Sequence, residues 1–302
     1  MPLNKIYKAL KRRLTPPPII QDETSILALG KLLSNQQWSM NSKSINDYEF
    51  KIFSQFGDDG IIQYLIKHLT IENQTFVEFG VENYQESNTR FLMMNNLWSG
   101  LVMDGSEFHI SSIKQRPWYW KHQLAHKATF VTRENINELM EEAGLSDIGL
   151  LHIDIDGNDY HVLEAMDFSR LNPSILIMEY NSVFGMERSI SVPYRPDFIR
   201  TKAHSSNLFF GASISALHHL ADQKGYALVG GNLAGNNAFF VRKDLLNSRI
   251  RECSLANAFR ESQFMESRDE NFQLTYLRGP QRLNAIRGLE VLNVISGKTE
   301  IL

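Results

Sequence analysis

Gly149-Leu150-Leu151-His152-Ile153-Asp154-Ile155-Asp156-Gly157-Asn158-Asp159-Tyr160 decides how this chain folds. A short apolar run ends in a carboxylate, a Gly-Asn turn follows, and helical patterning begins. Three more runs close the same way: Thr75-Phe76-Val77-Glu78, Gly100-Leu101-Val102-Met103-Asp104 and Ser174-Ile175-Leu176-Ile177-Met178-Glu179. Runs this short and apolar are strands buried on both faces of a parallel sheet. Open α/β sheets bind ligands outside the C-terminal ends of their strands. Four acidic strand ends therefore predict a crevice for a ligand rich in hydroxyls or positive charge, or for a metal ion.

Outward from these runs, strands are expected at 75–80, 100–104, about 128–131, 149–154 and 174–179. Helices are expected near 87–96, from Glu107, over 134–143 and over 158–167. An earlier helix opens at Gly57-Asp58-Asp59-Gly60 and runs to Leu69. This alternation with short loops predicts right-handed, parallel βαβ units. It stops at 181–212, a long connection of the kind that serves as a lid or binding loop. A helix over 213–224 ends at Gly225. Residues 226–229 and 237–241, joined by a Gly- and Asn-rich stretch, read as an antiparallel hairpin. The chain divides into an N-terminal extension (1–48: basic helix, Pro linker, helix), a main domain (49–245) and a C-terminal extension (246–302) packed on that domain.

Composition narrows the function classes. Of 302 residues 43% are hydrophobic, enough for a sizeable core. Thirty-one Lys+Arg against 34 Asp+Glu give a net charge of −3, which offers no support for nucleic-acid binding. One cysteine, Cys253, excludes an internal disulfide framework and a Cys-based zinc site, and points to a reducing cytoplasm. Lys5, Lys8, Lys11, Arg12 and Arg13 interleave with Leu3, Ile6, Leu10 and Leu14. This stretch, residues 3–14, reads first as a solvated basic helix. It also allows weak peripheral attachment at the inner face of a membrane. A homo-oligomer is compatible with everything in the sequence.

Asp104 lies 24 residues after Gly80. An acid about 20 residues beyond the glycine turn accepts a ribose diol in nucleotide-binding folds. The chain lacks the glycine pair that cradles a pyrophosphate, which disfavours NAD. Asp154, Asp156 and Asp159 crowd one strand end and need a cation, a proton or hydrogen bonds to coexist. Asp156, Glu179 and Asn181 offer oxygen ligands suited to Mg²⁺; helix and turn capping by Asp154 and Asp159 is the alternative. His152 reads as a core residue. His161 and His204 are placed to take a proton from a hydroxyl, with a packing role as the alternative for each.

Five βα units, a helix and a final antiparallel hairpin resemble the class I methyltransferase fold, which binds S-adenosylmethionine (SAM). Within it the chain resembles the FkbM-type methyltransferases over roughly residues 50–245. The residues that carry this are Ser54-Gln55-Phe56-Gly57-Asp58-Asp59-Gly60, Phe76-Val77-Glu78-Phe79-Gly80-Val81-Glu82, Asn88-Thr89, Trp98-Ser99-Gly100, Asp104-Gly105-Ser106, His152 through Tyr160, Glu179-Tyr180-Asn181, Gly211-Ala212-Ser213 and Gly225-Tyr226.

The resemblance implies an α/β, Rossmann-like fold with a mostly parallel sheet closed by the hairpin. It implies SAM as cofactor, held by Glu78 and Gly80 at its amino-acid end and by Asp104 at the ribose, with Ser106 and Asp154 also in contact. Residues 132–134 would flank the adenine. It further implies O-methylation of a sugar, glycan or secondary-metabolite hydroxyl, with Asp156 and His161 as catalytic residues. Asp156, Glu179 and Asn181 would hold Mg²⁺. Residues 118–120 and the loop 181–212 would shape the acceptor site. The alternatives are a SAM- or nucleotide-binding protein without turnover, and another nucleotide-dependent sugar-modifying enzyme.

Overall fold

Residues 75–79 form the first strand of a sheet whose order places it beside the central strand. A computed structural model describes residues 23–302; the basic stretch 3–14 and the proline linker 15–18 lie outside the described residues. The strands are β1 (Thr75–Phe79), β2 (Ser99–Asp104), β3 (Leu124–Ala128), β4 (Leu150–Ile153), β5 (Ile175–Glu179), β6 (Ile190–Ser191), β7 (Tyr226–Gly231), β8 (Asn237–Arg242), β9 (Glu290–Asn293) and β10 (Lys298–Ile301). Seven make one sheet in the order β3-β2-β1-β4-β5-β8-β7. β1 through β5 pair in parallel. β8 runs antiparallel to both β5 and β7, closing the sheet with the expected hairpin.

The apolar runs explain the burial. Val77, Phe79, Leu151, Ile153 and Leu176 pack on one face of the sheet, and Phe76, Leu150, Ile175 and Ile177 on the other. All nine side chains are fully enclosed, and each such burial contributes roughly 1.5–3 kcal/mol. β1 and β4 lie between pairs of neighbours, so their acidic C-terminal ends meet at the middle of one sheet edge. The order turns back between these two strands, because β1 and β4 each begin a progression away from the other. That switch point is where a crevice forms.

β3 differs from expectation: it covers 124–128, not 128–131. It is the edge strand, and most of its residues are half-buried or exposed. A strand wetted on one side lacks the continuous apolar run that marks its neighbours, so the apolar residues 128–131 drew the assignment too late. The long connection also differs. It contains β6 and the short helix Arg200–Ala203. β6 pairs with β9, which pairs with β10, in a second, antiparallel sheet. Phe184, Ile190, Val192, Phe198 and Leu208 of the connection pack with Ile286 and Val291 of the C-terminal region in a third apolar cluster. No helix among the described residues is long and apolar enough to cross a membrane.

Candidate active site

The strand ends open into a crevice of about 790 Å³. Its floor begins with Glu78 at the end of β1. Glu78 is 2% exposed, and both carboxylate oxygens are filled. Oε1 accepts from Asn88 N and from His152 Nδ1, both at 2.9 Å. Oε2 accepts from Ser87 Oγ at 2.5 Å, from Thr89 N at 3.1 Å and from the Thr89 hydroxyl. Burial pushes this carboxyl up, but the His152 bond and charge, with the Ser87 and Thr89 donors, outweigh it and leave it below its ordinary value. Burial lowers His152, and the Glu78 bond and charge overcome that, so its value is raised. The two form a buried hydrogen-bonded pair under the crevice.

Gly80 follows at φ +78°, and a Cβ there would lie 1.5 Å from the Asp154 carbonyl oxygen. The glycine is thus needed where the turn after β1 presses against the turn after β4. Its N–H donates to Met103 O at 2.9 Å, tying the same turn to β2. Asp104, at the end of β2, is held by two backbone donors: Glu82 N to Oδ2 and Ser106 N to Oδ1, each at 2.8 Å. Each oxygen keeps a lone pair, and the group remains partly exposed in the crevice. Ser106 caps the helix Glu107–Ile113, its Oγ accepting from His109 N.

At the ends of β4 and β5, one oxygen each of Asp154, Asp156 and Glu179 lies within 4.8 Å of the others. Burial, then the charge of Asp156, push Asp154 up to about 7. Burial, then the charges of Asp154 and Asp156, push Glu179 well above its usual range. Glu179 Oε2 is buried and has no hydrogen-bond partner among the described residues. Asp156 is a non-glycine residue at φ +58°, a conformation costing about 1–3 kcal/mol that concentrates at functional sites. Its carboxylate is met by Arg200 Nη1 at 2.6 Å. Arg200 is fixed in turn: Nε donates to Asn207 O at 3.0 Å, and the guanidinium stacks 3.7 Å over the Phe210 ring.

Asp159 turns away from this cluster. It accepts from Ile155 N and Gly157 N, both at 2.8 Å, and so fixes the turn into the helix Asp159–Ala165. Asp59 does the same for residues 52–54, whose three N–H groups donate to its Oδ2. That places Gln55 and Phe56 on the crevice wall.

A doubly lined crevice of this kind, with a nucleoside-type acid on β2 and carboxylates on β4 and β5, agrees with a family match: residues 70–205 fit the model described as the methyltransferase FkbM domain. Over residues 70–205 the chain is thus similar to the FkbM methyltransferase domain. Among solved structures, it is similar to an O-methyltransferase from Bacillus cereus in complex with S-adenosylhomocysteine (SAH): 13% identity, 77% of this chain and 95% of that one, TM-score 0.40. It is also similar to a SAM-dependent methyltransferase from Clostridium acetobutylicum: 8% identity, 71% and 97%, TM-score 0.38. No curated protein sequence matches the chain.

Several site expectations need correction. His161 does not face the crevice. It is buried, bonds Val192 O through Nε2 at 2.8 Å and meets Tyr194 edge-on; burial holds its pKa below the usual value. The first turn of its helix points it at the long connection. Asn181 is no metal ligand: its Nδ2 donates to Leu208 O and Phe210 O, and its Oδ1 accepts from Val183 N. The third carboxylate of the cluster is Asp154 instead. His204 bonds Ser206 and stays outside. Residues 129–131, not 132–134, line the crevice, because β3 ends three residues before the expected strand. Trp118 is buried against Tyr84 and Arg90, and Trp120 is 80% exposed; neither lines the crevice.

The loop 181–212 does reach the crevice as expected, but which of its residues do so, and the C-terminal contribution, had no sequence signal. Arg200, Asn207, Phe264 and Glu266 come from the long connection and the C-terminal region. Phe264 stacks on Phe56 across the opening, with ring centroids 5.8 Å apart. These residues carry no motif or periodicity; the β6–β9 pairing, with the bonds from Arg268 N to Ser206 O and from Asn207 Nδ2 to Glu266 Oε1, brings their segments together.

Proposed function

We propose that this protein is a SAM-dependent methyltransferase that methylates a hydroxyl of a sugar-like, glycan or secondary-metabolite acceptor. The observation that carries the reading is the Asp154–Glu179 pair, one of whose carboxyls titrates near neutrality, in the same crevice as Asp104. A base poised near the working pH is what removal of a hydroxyl proton requires.

The crevice fits SAM on two counts. Asp104, braced by Glu82 N and Ser106 N, presents lone pairs suited to a ribose diol. Phe130 stands beside Gly105 with a Cβ there only 3.2 Å from its ring, an apolar wall suited to a purine. SAM supplies a sulfonium-activated methyl group. Since Glu78 has no free oxygen, the acids toward β4 are left to receive the cofactor's ammonium. Asp154 is assigned to hold the acceptor's hydroxyl proton on a carboxylate oxygen as the new C–O bond forms. Arg200 holds the Asp156 carboxylate in place, and Phe56, Phe198 and Phe264 exclude water.

Asp154, Asp156 and Glu179 are hard oxygen donors that suit Mg²⁺, with Glu179 Oε2 the open position. A metal there would lower the pKa of the acceptor hydroxyl. The domain assignment proposed is a catalytic unit at 49–245, with residues 246–302 packed on it and completing the acceptor wall. The partner proposed is a small molecule or glycan, not nucleic acid.

Calorimetry with SAM and SAH tests the cofactor site. Wild-type binding that weakens about 100-fold in Asp104→Ala supports it, as expected for loss of a charged acceptor of two hydrogen bonds. No binding by the wild type, or equal binding by the variant, sinks it. Turnover on a hydroxylated acceptor that is insensitive to chelator removes the metal.

A further inference from the structure

We infer that the outer side of the helix Glu23–Gln36, with Trp38 just beyond it, is a contact surface for an anionic lipid bilayer. The inference depends on neither the cofactor nor the acceptor. It starts from where the charges lie. Residues 1–46 hold seven Lys+Arg and two acids, Asp22 and Glu23, so the remainder holds 24 Lys+Arg against 32 acids. A chain of net charge −3 thus concentrates an excess of five positive charges in 46 residues. No acid occurs from Thr24 to Asn46, and Glu23 is taken up by Arg90 at 2.6 Å. Charge divided in this way marks a part of the chain that meets an anionic partner.

The same part of the chain presents apolar side chains to solvent. Gly30 packs against Phe91, where a Cβ would lie 2.6 Å from the ring, and Gln37 is buried, donating to Tyr48 O and Gly60 O. These two fix the inner side of the segment and leave Ala28, Leu29 and Leu32 facing outward. Leu32 is 66% exposed and Trp38 68%. Lys67 Nζ donates to Ser34 O at 2.7 Å and sits 4.1 Å over the Trp38 ring, so the indole lies beside the last helical turn. His68 meets the same ring edge-on, and the charged groups acting on His68 are both cations, Arg249 and Lys67. Among the described residues, Lys31, Lys67 and Arg249 form no ion pair. An exposed indole beside unpaired cations, with leucines nearby, suits the headgroup boundary of an anionic bilayer. Nucleic acid would match the charge but offers the leucines nothing. A stable protein interface takes roughly 20–30 residues a side, far more than these apolar side chains supply. Residues 3–14 repeat the pattern upstream in the sequence, interleaving five cations with leucine and isoleucine, and weak membrane contacts strengthen when two act together.

The test is flotation of the full chain with mixed phosphatidylcholine–phosphatidylglycerol vesicles and with phosphatidylcholine alone. The wild type should bind the mixed vesicles, bind the neutral ones far less, and let go as salt rises. Leu32→Ser combined with Trp38→Ser should weaken binding about tenfold, and Lys31→Gln about fivefold. Trp120→Ser removes a still more exposed indole from elsewhere on the surface and should change nothing. In a Trp120→Phe background brominated lipid should quench Trp38, because Trp98 and Trp118 are buried. Failure of the wild type to bind mixed vesicles overturns the inference. So does binding that survives the double substitution with Trp38 unquenched, which assigns attachment to residues 3–14 alone. A lipid-free dimer that the double substitution dissolves also overturns it, by giving this face to a second copy of the chain.

Discussion

Asp154→Asn should stabilise the folded protein and abolish its activity, and the stabilisation should depend on pH. Asp154 shares its strand end with Asp156 and Glu179, and its carboxyl is pushed up from 3.8 to about 7. A folded carboxyl that keeps its proton to higher pH than the unfolded one contributes stability below 3.8. That contribution is lost as pH rises through about 7. The full shift corresponds to about 4 kcal/mol at 1.36 kcal/mol per unit. Because Glu179 shares the proton load, the part that Asp154→Asn recovers is about half, roughly 2 kcal/mol. The new amide also offers a donor toward Glu179. Unfolding entropy of about 2.1 cal/mol/K per residue converts this to a rise in Tm of about 3 °C near pH 8. Near pH 5.5 the folded group holds its proton while the unfolded one has already ionised, so about half of the difference should remain, and the two melting curves converge only toward pH 3.8. Scanning calorimetry at the two pH values, without ligand, reads the difference. A variant that melts lower than wild type at pH 8, or gains equally at both pH values, refutes the idea that an uncompensated charge resides at Asp154.

Gly80→Ala should destabilise the fold by about 3 kcal/mol or more, because its methyl would lie 1.5 Å from the Asp154 carbonyl oxygen at φ +78°; thermal melts check this, and a neutral result would mean the turn is free to move. His161→Phe leaves Val192 O without its donor and should cost about 1–3 kcal/mol of stability with little change in kcat. A large fall in kcat for the folded variant would return His161 to the chemistry. Arg200→Gln removes the cation that holds Glu179 down. The acid limb of the kcat profile should then move to higher pH, and a profile in register with wild type would detach Arg200 from the base.

The central strands were legible because burial on both faces leaves an unmistakable mark: β1, β2, β4 and β5 fall within a residue or two of their apolar runs. The hairpin was legible from its Gly- and Asn-rich turn. β3 was displaced because an edge strand carries residues such as His126 and Lys127 that no apolar run contains. Positions in the site followed the same division. Residues at strand ends reach the crevice, since strand direction alone puts them there. Residues one turn further on, such as His161, or two residues past a strand, such as Asn181, are aimed by packing with the long connection. Glu78 shows a subtler limit: its position was readable from the strand, but its five donors come from a loop and a neighbouring strand.

The sheet β6-β9-β10 gives the two ends of the crevice separate histories within one chain. The donor end is assembled from a nearly continuous span, from Glu78 to Asp156. The acceptor wall needs Arg200 and Asn207 to be joined by Phe264 and Glu266, from well along the chain, and the pairing of β6 with β9 fixes that junction. Changes in the outer segments can therefore remodel what is methylated without disturbing what is held for methylation. Substrate range and methyl-donor chemistry become independently adjustable. Exchange of the 181–212 and 259–302 segments as a matched pair is the natural unit for redirecting this enzyme.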